Sequence, residues 1–375
     1  MERQLCTPRP DWQARVESQG LQFHTIDGLP YWDENAFYQF PSAEIDELEK
    51  ATYALNDLCL KVIDHIFEKN RLAEFQVPPQ YHAWLRQSWE QDESTVYGRF
   101  DFCYDGRSPP KLLEYNADTP TALLEAAVVQ WFWMKDTHAD ADQFNSIHEK
   151  LLEFWPRLGP ATQGPIHFAS MRGHVEDLMT VTYLRDTAQQ AGLDTVYLAV
   201  EDIGWNAARR AFVDIQERPL RTAFKLYPWE WMLREQFGPR LLEYSVRWLE
   251  PPWKVLLSNK TILAVLWELF PECPYLLPTH SEPKTDSYVR KPCQGREGAN
   301  VLYVWNGETV QETDGPYGDG PFVYQEAKSL PAFQGNYPVI GSWLVNGHAC
   351  GIGIREDRGP ITSNTSRFVP HFFVP

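Results

Sequence analysis

Cysteine is scarce in this chain of 375 residues, and the few cysteines lie far apart. They are Cys6, Cys59, Cys103, Cys273, Cys293 and Cys350. No two of them form a CxxC pair, which disfavours a zinc site because such sites need closely spaced ligands. Scattered free thiols are typical of a reducing compartment, so we expect a cytoplasmic protein.

Positive charge is also in short supply. The chain has 34 Lys and Arg against 51 Asp and Glu, which gives a formal net charge of −17. An acidic surface repels nucleic-acid phosphates and anionic lipids, so we expect neither nucleic acid nor a membrane as a partner. A local basic pocket could still bind a small anion, most simply one that is bridged by a divalent cation.

Long apolar runs are missing as well. The longest, such as residues 264–270, are far too short to span a bilayer. The first 17 residues are polar and carry charges of both signs. They lack the apolar core of a secretory signal, so we expect no signal peptide.

Apolar and aromatic side chains are plentiful, at 43% and 14% of the residues, which excludes global disorder. The patterning predicts an α/β (α+β) protein with a small parallel α/β segment over residues 165–250 and mostly short strands from residue 287 onward. It predicts a hairpin of strands 97–104 and 111–118. It predicts helices over 42–70, which Ser42 would cap, and over 78–91, 120–135 with Pro120 at its start, 143–158, 173–192, 225–238 and 259–270.

The predicted hairpin carries four polar side chains at two-residue spacing. Arg99 and Asp101 share one strand face, and Glu114 and Asn116 share a face of the next strand. Two carboxylates and an amide are hard oxygen ligands suited to Mg²⁺, and the arginine could hold a phosphoryl group in transfer. The alternative is an ordinary polar strand face with a salt bridge.

A second set of residues could bind phosphate. Lys291 ends a strand, and a loop with Gly295 and Gly298 follows it. Glycines let backbone N–H groups approach phosphate oxygens, and lysines supply charge, so Lys260 is a further candidate. The loop lacks the GK[ST] of a Walker A motif, and a plain hairpin turn is the alternative.

Weaker signals come from four other places. The segment Tyr324 to Ala327 could offer backbone groups to an adenine edge, and Arg355 could bind an anion or pair with its acidic neighbours. Glu176 and Asp177 lie near a helix start, which the helix dipole alone can explain. Tryptophan pairs at 131/133 and 229/231 fit a core, although aromatics beside carboxylates also line glycosidase sites.

Together these segments resemble the glutathionylspermidine synthase family in its synthetase portion, and the short stand-alone acid–amine ligases of that family above all. The amidase domain of bifunctional members has no expected counterpart here. The stretches that carry the resemblance are RQSWE (86–90), YGRFDFCYDG (97–106), KLLEYNADTPTALLEA (111–126), DQFNSIHEKL (142–151), FKLYPWEWMLRE (224–235), RWLEPPWK (247–254), LSNK (257–260), VRKPCQGREGANV (289–301), GSWLVNG (341–347), GIGIRED (351–357) and SRFVPH (366–371).

The resemblance implies an ATP-grasp-like fold in permuted order with a small inserted parallel α/β lobe. It implies a first part of the catalytic core over 1–160, a substrate-side lobe over 161–258, a lid over 259–330 and closing strands over 331–375. Asp101, Glu114 and Asn116 match magnesium ligands, and Arg99 matches the residue that steadies the phosphoryl transition state. The implied ATP contacts are Arg99, Phe100, Asp101, Lys260, Lys291, Glu297, Gly298, Gln325, Glu326, Ala327, Lys328 and Arg355. Thr119, Glu176 and Asp177 match substrate-binding positions.

The implied activity is an ATP- and Mg²⁺-dependent ligation of a carboxylic acid to an amine through an acyl phosphate, with small-molecule substrates that the sequence does not identify. Two other hypotheses about the function stay open. One is a nucleotide-binding module without turnover, and the other is the aromatic-lined glycosidase.

Overall fold

The computed structural model describes residues 1–158, 162 and 164–374. Its helices, in chain order, are α1 (Trp12–Ser18), α2 (Ser42–Glu68), α3 (His82–Glu90), α4 (Gln130–Thr137), α5 (Ile147–Leu158), α6 (Val175–Gln190), α7 (Trp229–Met232), α8 (Val255–Ser258) and α9 (Thr261–Leu269).

The first twelve strands are β1 (Glu2–Leu5), β2 (Thr25–Ile26), β3 (Leu29–Pro30), β4 (Ala36–Pro41), β5 (Tyr97–Cys103), β6 (Lys111–Asn116), β7 (Ile166–Ser170), β8 (Thr195–Ala199), β9 (Gly204–Asn206), β10 (Ala211–Val213), β11 (Thr222–Leu226) and β12 (Arg247–Leu249). The remaining nine are β13 (Thr279–His280), β14 (Tyr288–Pro292), β15 (Leu302–Trp305), β16 (Glu308–Glu312), β17 (Phe322–Glu326), β18 (Tyr337–Val345), β19 (His348–Asp357), β20 (Arg367–Val369) and β21 (His371–Val374). The mixed α/β content agrees with the prediction from the sequence.

A five-stranded antiparallel sheet of order β20-β19-β18-β5-β6, here called the long-stranded sheet, lies at the centre. Successive side chains of a strand point to opposite faces, so each face builds its own core. One face, with Phe100 and Ile340, packs into the cluster that contains the apolar residues of α2. The other, with Trp343 and Cys350, packs into the cluster that contains α5. The predicted hairpin is therefore the edge of a sheet covered on both faces.

A four-stranded sheet of order β12-β11-β7-β8, here called the parallel sheet, confirms the parallel segment predicted within 165–250. The chain goes from β7 through α6 to β8, and later places β11 on the other side of β7. The strand order thus reverses between β7 and β11. In open α/β sheets, ligands bind in the crevice beyond the carboxyl ends of the strands at such a reversal.

A third sheet, of order β13-β17-β14-β15-β16, is antiparallel and is here called the small sheet. The segment between β14 and β15 contains Glu297 and Gly298, both with positive φ, at 57° and 69°. A Cβ on Gly298 would lie 2.2 Å from the carbonyl oxygen of Thr362. Glycine is therefore required there, and the loop rests against the segment that follows β19.

Three local predictions were wrong. Residue 42 begins α2 without a side-chain cap, because Pro41 holds the cap position. The helix predicted over 120–135 begins at residue 123 and passes through a π-helical turn, Glu125–Val129, before α4, so Pro120 lies outside it. Of the helix predicted over 225–238, residues 225 and 226 end β11 and only Trp229–Met232 are α-helical. The predicted domain boundary at 160/161 lies outside the described residues.

None of the helices in the described part of the chain combines the length and the apolar character that crossing a bilayer demands.

Candidate active site

The hairpin of β5 and β6 pairs in the register that brings the four polar residues together. Arg99 lies opposite Asn116, and Asp101 lies opposite Glu114. The Arg99 guanidinium donates from Nε and Nη2 to the two Asp101 carboxylate oxygens, at 2.6 and 3.0 Å. The Asn116 amide donates to Asp101 at 3.0 Å and to Glu114 at 3.3 Å. Two carboxylates, an amide and a guanidinium thus form one contiguous group.

Gly341 on β18 makes room for this group. A Cβ at that position would lie 2.7 Å from Cδ of Arg99, so only glycine lets the arginine lie flat across the strand. Phe100 points to the opposite face, where it is fully buried and stacks on Tyr115 with ring centroids 4.0 Å apart. Its side chain therefore belongs to the core, and only its backbone could meet a nucleotide.

Both predicted lysines reach the hairpin from other elements. Lys260, just before α9, places Nζ 3.0 Å from Glu114 Oε2 and donates to the Gly295 carbonyl at 2.7 Å. Lys291, at the end of β14, donates to the carbonyl of Leu113 and to Gln325 Oε1, both at 2.8 Å.

These lysines set the charge state of the site. Burial on its own raises the pKa of the Glu114 carboxyl, but the ammonium groups of Lys260 and Lys291 outweigh it and bring the pKa to about 2. Burial lowers the pKa of Lys291 to about 8, against the attraction of Glu114. Burial also raises the pKa of Asp101, and the adjacent Arg99 opposes that shift. Glu114 is consequently an anion at neutral pH.

A mostly apolar cleft of about 840 Å³, its open space included, lies between the hairpin and the small sheet. Its apolar lining includes Leu113, Leu277, Val289, Val301, Tyr303, Leu330, Val339 and Ile361, and its polar lining includes Lys260, Lys291, Gln325, Glu326 and Lys328. Ala327 is not among its lining residues. The backbone N–H groups of Glu326 and Ala327 already donate to the carbonyls of Pro278 and Ser287, so these two donors are not free for an adenine.

A polar cavity of about 970 Å³ adjoins this cleft at the hairpin. It opens where Met171 follows β7 and Pro228 follows β11, which is the crevice at the reversal of the parallel sheet. Thr119 and Asp177 line it, whereas Glu176 does not. The cleft and the cavity share Asp101, Glu114, Lys260, Arg296, Gly298 and Thr362. The charged group of the hairpin thus marks the boundary between an apolar and a polar compartment.

Asp177 is an unpaired carboxylate in the polar cavity. Its side chain has no hydrogen-bond or ion-pair partner among residues 1–158, 162 and 164–374. Burial, and then the neighbouring Glu176, raise its pKa to about 6. A protonated amine would lower the energy of this carboxylate.

Arg355 also lines the polar cavity, and a narrow space of about 330 Å³ separates it from Arg99. Its acidic neighbour Glu356 pairs instead with Arg3 and Arg367, at 2.7 and 2.9 Å. Arg355 donates from Nη2 to the Ser363 carbonyl, while its buried Nε has no partner in the described part of the chain. The interpretation of Arg355 as paired with its neighbours is therefore wrong, and the guanidinium keeps a free donor.

Magnesium fits the donor set of the hairpin in part. Within the described ranges no three His, Cys, Asp or Glu side chains form a metal-binding group. Asp101, Glu114 and Asn116 offer two carboxylates and an amide oxygen, and Mg²⁺ usually takes only one or two carboxylates together with waters and substrate phosphates. Both carboxylates are paired with cations here, Asp101 with Arg99 and Glu114 with Lys260.

Sequence reasoning missed one cation of the polar cavity, Arg296. It donates from Nη1 to Thr119 Oγ1 at 2.6 Å and from Nε and Nη2 to Glu230 Oε1 at 3.0 and 2.6 Å. Its guanidinium also lies over the ring of Trp231, which lines the cavity rather than the core. An arginine inside a glycine loop was the available signal, but its partners are distant in sequence.

Sequence reasoning also missed the buried ion pair between Lys225 and Asp118. Lys225 at the end of β11 donates to Asp118 Oδ1 at 2.7 Å, and the second oxygen of Asp118 accepts the N–H of Trp229 at 2.9 Å. Both charged side chains are almost completely buried. The pair ties the segment after β6, with Thr119, to the segment after β11, with Glu230.

Comparison with known proteins gives independent evidence about the family of this chain. The family model described as "Glutathionylspermidine synthase preATP-grasp" matches residues 3–374. A Haemophilus influenzae protein named "Putative acid--amine ligase" is 41% identical, with 98% of each chain covered. The Escherichia coli "Bifunctional glutathionylspermidine synthetase/amidase" is 28% identical over 96% of this chain and 62% of its own length, and the Crithidia fasciculata trypanothione synthetase is 28% identical over 81% and 51%. The chain thus spans only part of these two relatives.

Among solved structures, the glutathione synthetase-like effector GSS30 from Globodera pallida in its apo form has a TM-score of 0.60 at 11% identity, covering 99% of this chain and 100% of its own. At that identity the likeness concerns the fold alone.

Proposed function

Because the chain belongs to the glutathionylspermidine synthase preATP-grasp family, whose named relatives are ligases, we propose that it is an ATP-grasp ligase. It couples a carboxylic acid to an amine through an acyl phosphate and releases ADP and phosphate. The observation that carries this proposal is the position of Arg99, Asp101, Glu114 and Lys260 at the boundary between an apolar cleft and a polar cavity. A γ-phosphate at this boundary would face its nucleotide on one side and its acceptor on the other.

ATP is proposed to occupy the apolar cleft. Leu113, Leu277 and Val289 suit a nucleobase, and Lys260 and Lys291 are the cations at the phosphate end. The permuted order is consistent with this arrangement, since the carboxylates come from β5 and β6 and the lysines from elements more than 100 residues later. The division of the chain into parts at 1–160, 161–258, 259–330 and 331–375 belongs to the same proposal.

Asp101, Glu114 and Asn116 would hold Mg²⁺. An ion held by these residues would supply positive charge against the negative charge that develops on the phosphoryl group. Arg99 and Lys260 then have to turn from their carboxylate partners towards phosphate oxygens. Both contacts are between side chains and not between strands, so this exchange leaves the strand pairing intact.

The first chemical step joins a carboxylate oxygen of the acid to the γ-phosphorus of ATP, and the bond from that phosphorus to the bridging oxygen of ADP breaks. In the second step the neutral amine attacks the acyl carbon, phosphate leaves, and the nitrogen loses a proton. Arg99 and Arg355 flank the transferred group and stabilise its charge. The loop with Glu297 and Gly298 shields the acyl phosphate from water.

The acid and the amine would bind in different parts of the polar cavity because they differ in charge. Thr119 and Arg296 are donors on one side and suit the carboxylate of the acid. Asp177 is an unpaired acceptor on the other side and suits a cationic end of the amine, with Glu176 behind it. Thr119, Glu176 and Asp177 are the substrate-binding positions that the resemblance implies, and Arg296 is an addition to them.

The test is ADP release measured in the presence of Mg²⁺ and mixed pools of acids and amines, followed by mass spectrometry of any new amide. Wild type is expected to turn over ATP, and Asp101→Asn is expected to lose at least about 100-fold in rate. Equal rates in the two proteins would refute the proposal. Calorimetric ATP binding without ADP formation under any pair would support a nucleotide-binding module instead.

A further inference from the structure

A separate cavity of about 510 Å³, its open mouth included, lies against the parallel sheet. Apolar side chains dominate its walls: Val200, Ile203, Phe212, Met232, Phe237, Leu241 and Trp248. Among the described residues, three polar side chains reach it, Lys225, Tyr227 and Glu235. Small-molecule sites have this size and this composition of apolar walls with a few placed polar groups.

This cavity is distinct from the proposed active site. Lys225 and Tyr227 line it, whereas the alternating neighbours Leu226 and Pro228 line the polar cavity. Alternation along β11 and its continuation therefore puts the two spaces on opposite sides of one stretch of backbone. None of the residues that the structure describes lines both of them.

The polar groups determine the charge of an occupant. The Lys225 ammonium is satisfied, because it donates to Asp118 at 2.7 Å and to the Tyr227 carbonyl at 2.8 Å and lies 4.3 Å from the centroid of the Trp229 ring. Glu235 accepts only the Tyr227 hydroxyl, and no cationic nitrogen of the described residues lies within ion-pair distance of it. The neighbouring Arg234 donates instead to the Glu230 and Gln76 carbonyls and to Gln294. The uncompensated charge at this cavity is negative.

We propose that this cavity is a second small-molecule site, for a protonated primary amine that carries an aromatic or branched aliphatic group. The apolar group fills the space between Phe212, Leu241 and Trp248. The ammonium pairs with Glu235 at the mouth. Aromatic walls with one carboxylate favour such a cation over an anion or a sugar.

Side chains and backbone connect this site to the polar cavity. Asp118, which holds Lys225, is the residue before Thr119, and it also accepts the N–H of Trp229. Glu230 follows and holds Arg296. An occupant against Lys225 and Tyr227 therefore contacts the segment that positions two donors of the polar cavity.

The experiment is isothermal titration calorimetry of the full chain with 2-phenylethylamine, without nucleotide, so that its result does not depend on ligase turnover. Val200→Trp fills the cavity and is expected to weaken binding at least about tenfold, a loss of one decade in Kd. Glu235→Gln removes the charge with little change of shape at an exposed position and is expected to weaken binding several-fold. The anion 3-phenylpropionate is expected to bind at least about tenfold more weakly than the amine.

Two controls locate the binding. Ile215→Trp, a similar change at a well-exposed position after β10, should leave the affinity as in wild type. Asp177→Asn should also leave it unchanged, because that carboxylate lies in the other cavity. Three results would each overturn the proposal. They are no binding of the amine up to about 10 mM, wild-type affinity in both Val200→Trp and Glu235→Gln, and a loss of affinity confined to Asp177→Asn.

Discussion

The buried ion pair between Lys225 and Asp118 offers a quantitative test of how the structure holds its polar cavity. Lys225→Met keeps the length and most of the volume of the side chain but removes the ammonium. Asp118 then keeps only the N–H of Trp229 as a partner, while its other oxygen stays buried without one. Breaking a buried pair on one side costs about 3–5 kcal/mol.

The hydrogen-bond inventory gives the same range. Lys225 loses two bonds from a charged donor, to Asp118 and to the Tyr227 carbonyl, and such bonds contribute about 1.5–3 kcal/mol each. For a chain of 375 residues, an unfolding entropy of about 2.1 cal/mol/K per residue gives roughly 0.8 kcal/mol per kelvin. A loss of about 4 kcal/mol should therefore lower the Tm by about 5 °C if the chain melts as one unit.

The assay is thermal and urea unfolding of Lys225→Met, Asp118→Asn and the double variant. The double variant should be more stable than the sum of the two losses predicts, because a neutral pair leaves no buried charge. Lys50→Met is the matched control, since Lys50 is mostly exposed and should contribute under about 0.5 kcal/mol. A loss below about 1 kcal/mol in Lys225→Met, or strict additivity, would refute the reasoning.

Three further predictions concern the proposed active site. Gly298→Ala should abolish ADP release, because its Cβ would lie 2.2 Å from the Thr362 carbonyl, whereas Gly307→Ala, also at positive φ but with open space around it, should keep activity near wild type. The KM for the amine should rise as the pH falls through about 6, where Asp177 takes up a proton, and Asp177→Asn should flatten this dependence in initial-rate assays; an unchanged profile would contradict the assignment. Arg296→Lys should raise the KM for the acid about tenfold with less effect on the KM for ATP, since lysine cannot reproduce the paired donors.

The periodicity of residues within single strands predicted which polar side chains share a strand face. Two-residue spacing placed Arg99 beside Asp101 and Glu114 beside Asn116, and the hairpin then brought the pairs together. The helix predicted over 225–238 was wrong at its start because apolar and aromatic residues there suit a buried parallel strand equally well. Composition alone does not separate the two in so short a run.

Contacts between distant elements had no such signal. Arg296 meets Thr119 across 177 residues of sequence, and Lys225 meets Asp118 across 107. A single sequence contains no periodicity at such separations. The Arg355 prediction shows the same limit, since its acidic neighbour is taken by Arg3 and Arg367, residues that only the folded sheet brings near.

The order of strands in the long-stranded sheet also bears on synthesis of the protein. β5 and β6, with the carboxylates, come early in the chain, but β18, which pairs with β5, and β19, which pairs with β18, lie more than 200 residues later. Likewise, β4 pairs with β21 near the other end. During translation the edge of β5 that pairs with β18 stays unpaired until most of the chain has been synthesised. Unpaired strand edges favour aggregation. The same topology means that a nascent or truncated chain lacking β18 and β19 has neither Gly341 beside Arg99 nor Arg355 across the narrow space from it. The proposed phosphate site is therefore incomplete until the last strands have joined the sheet.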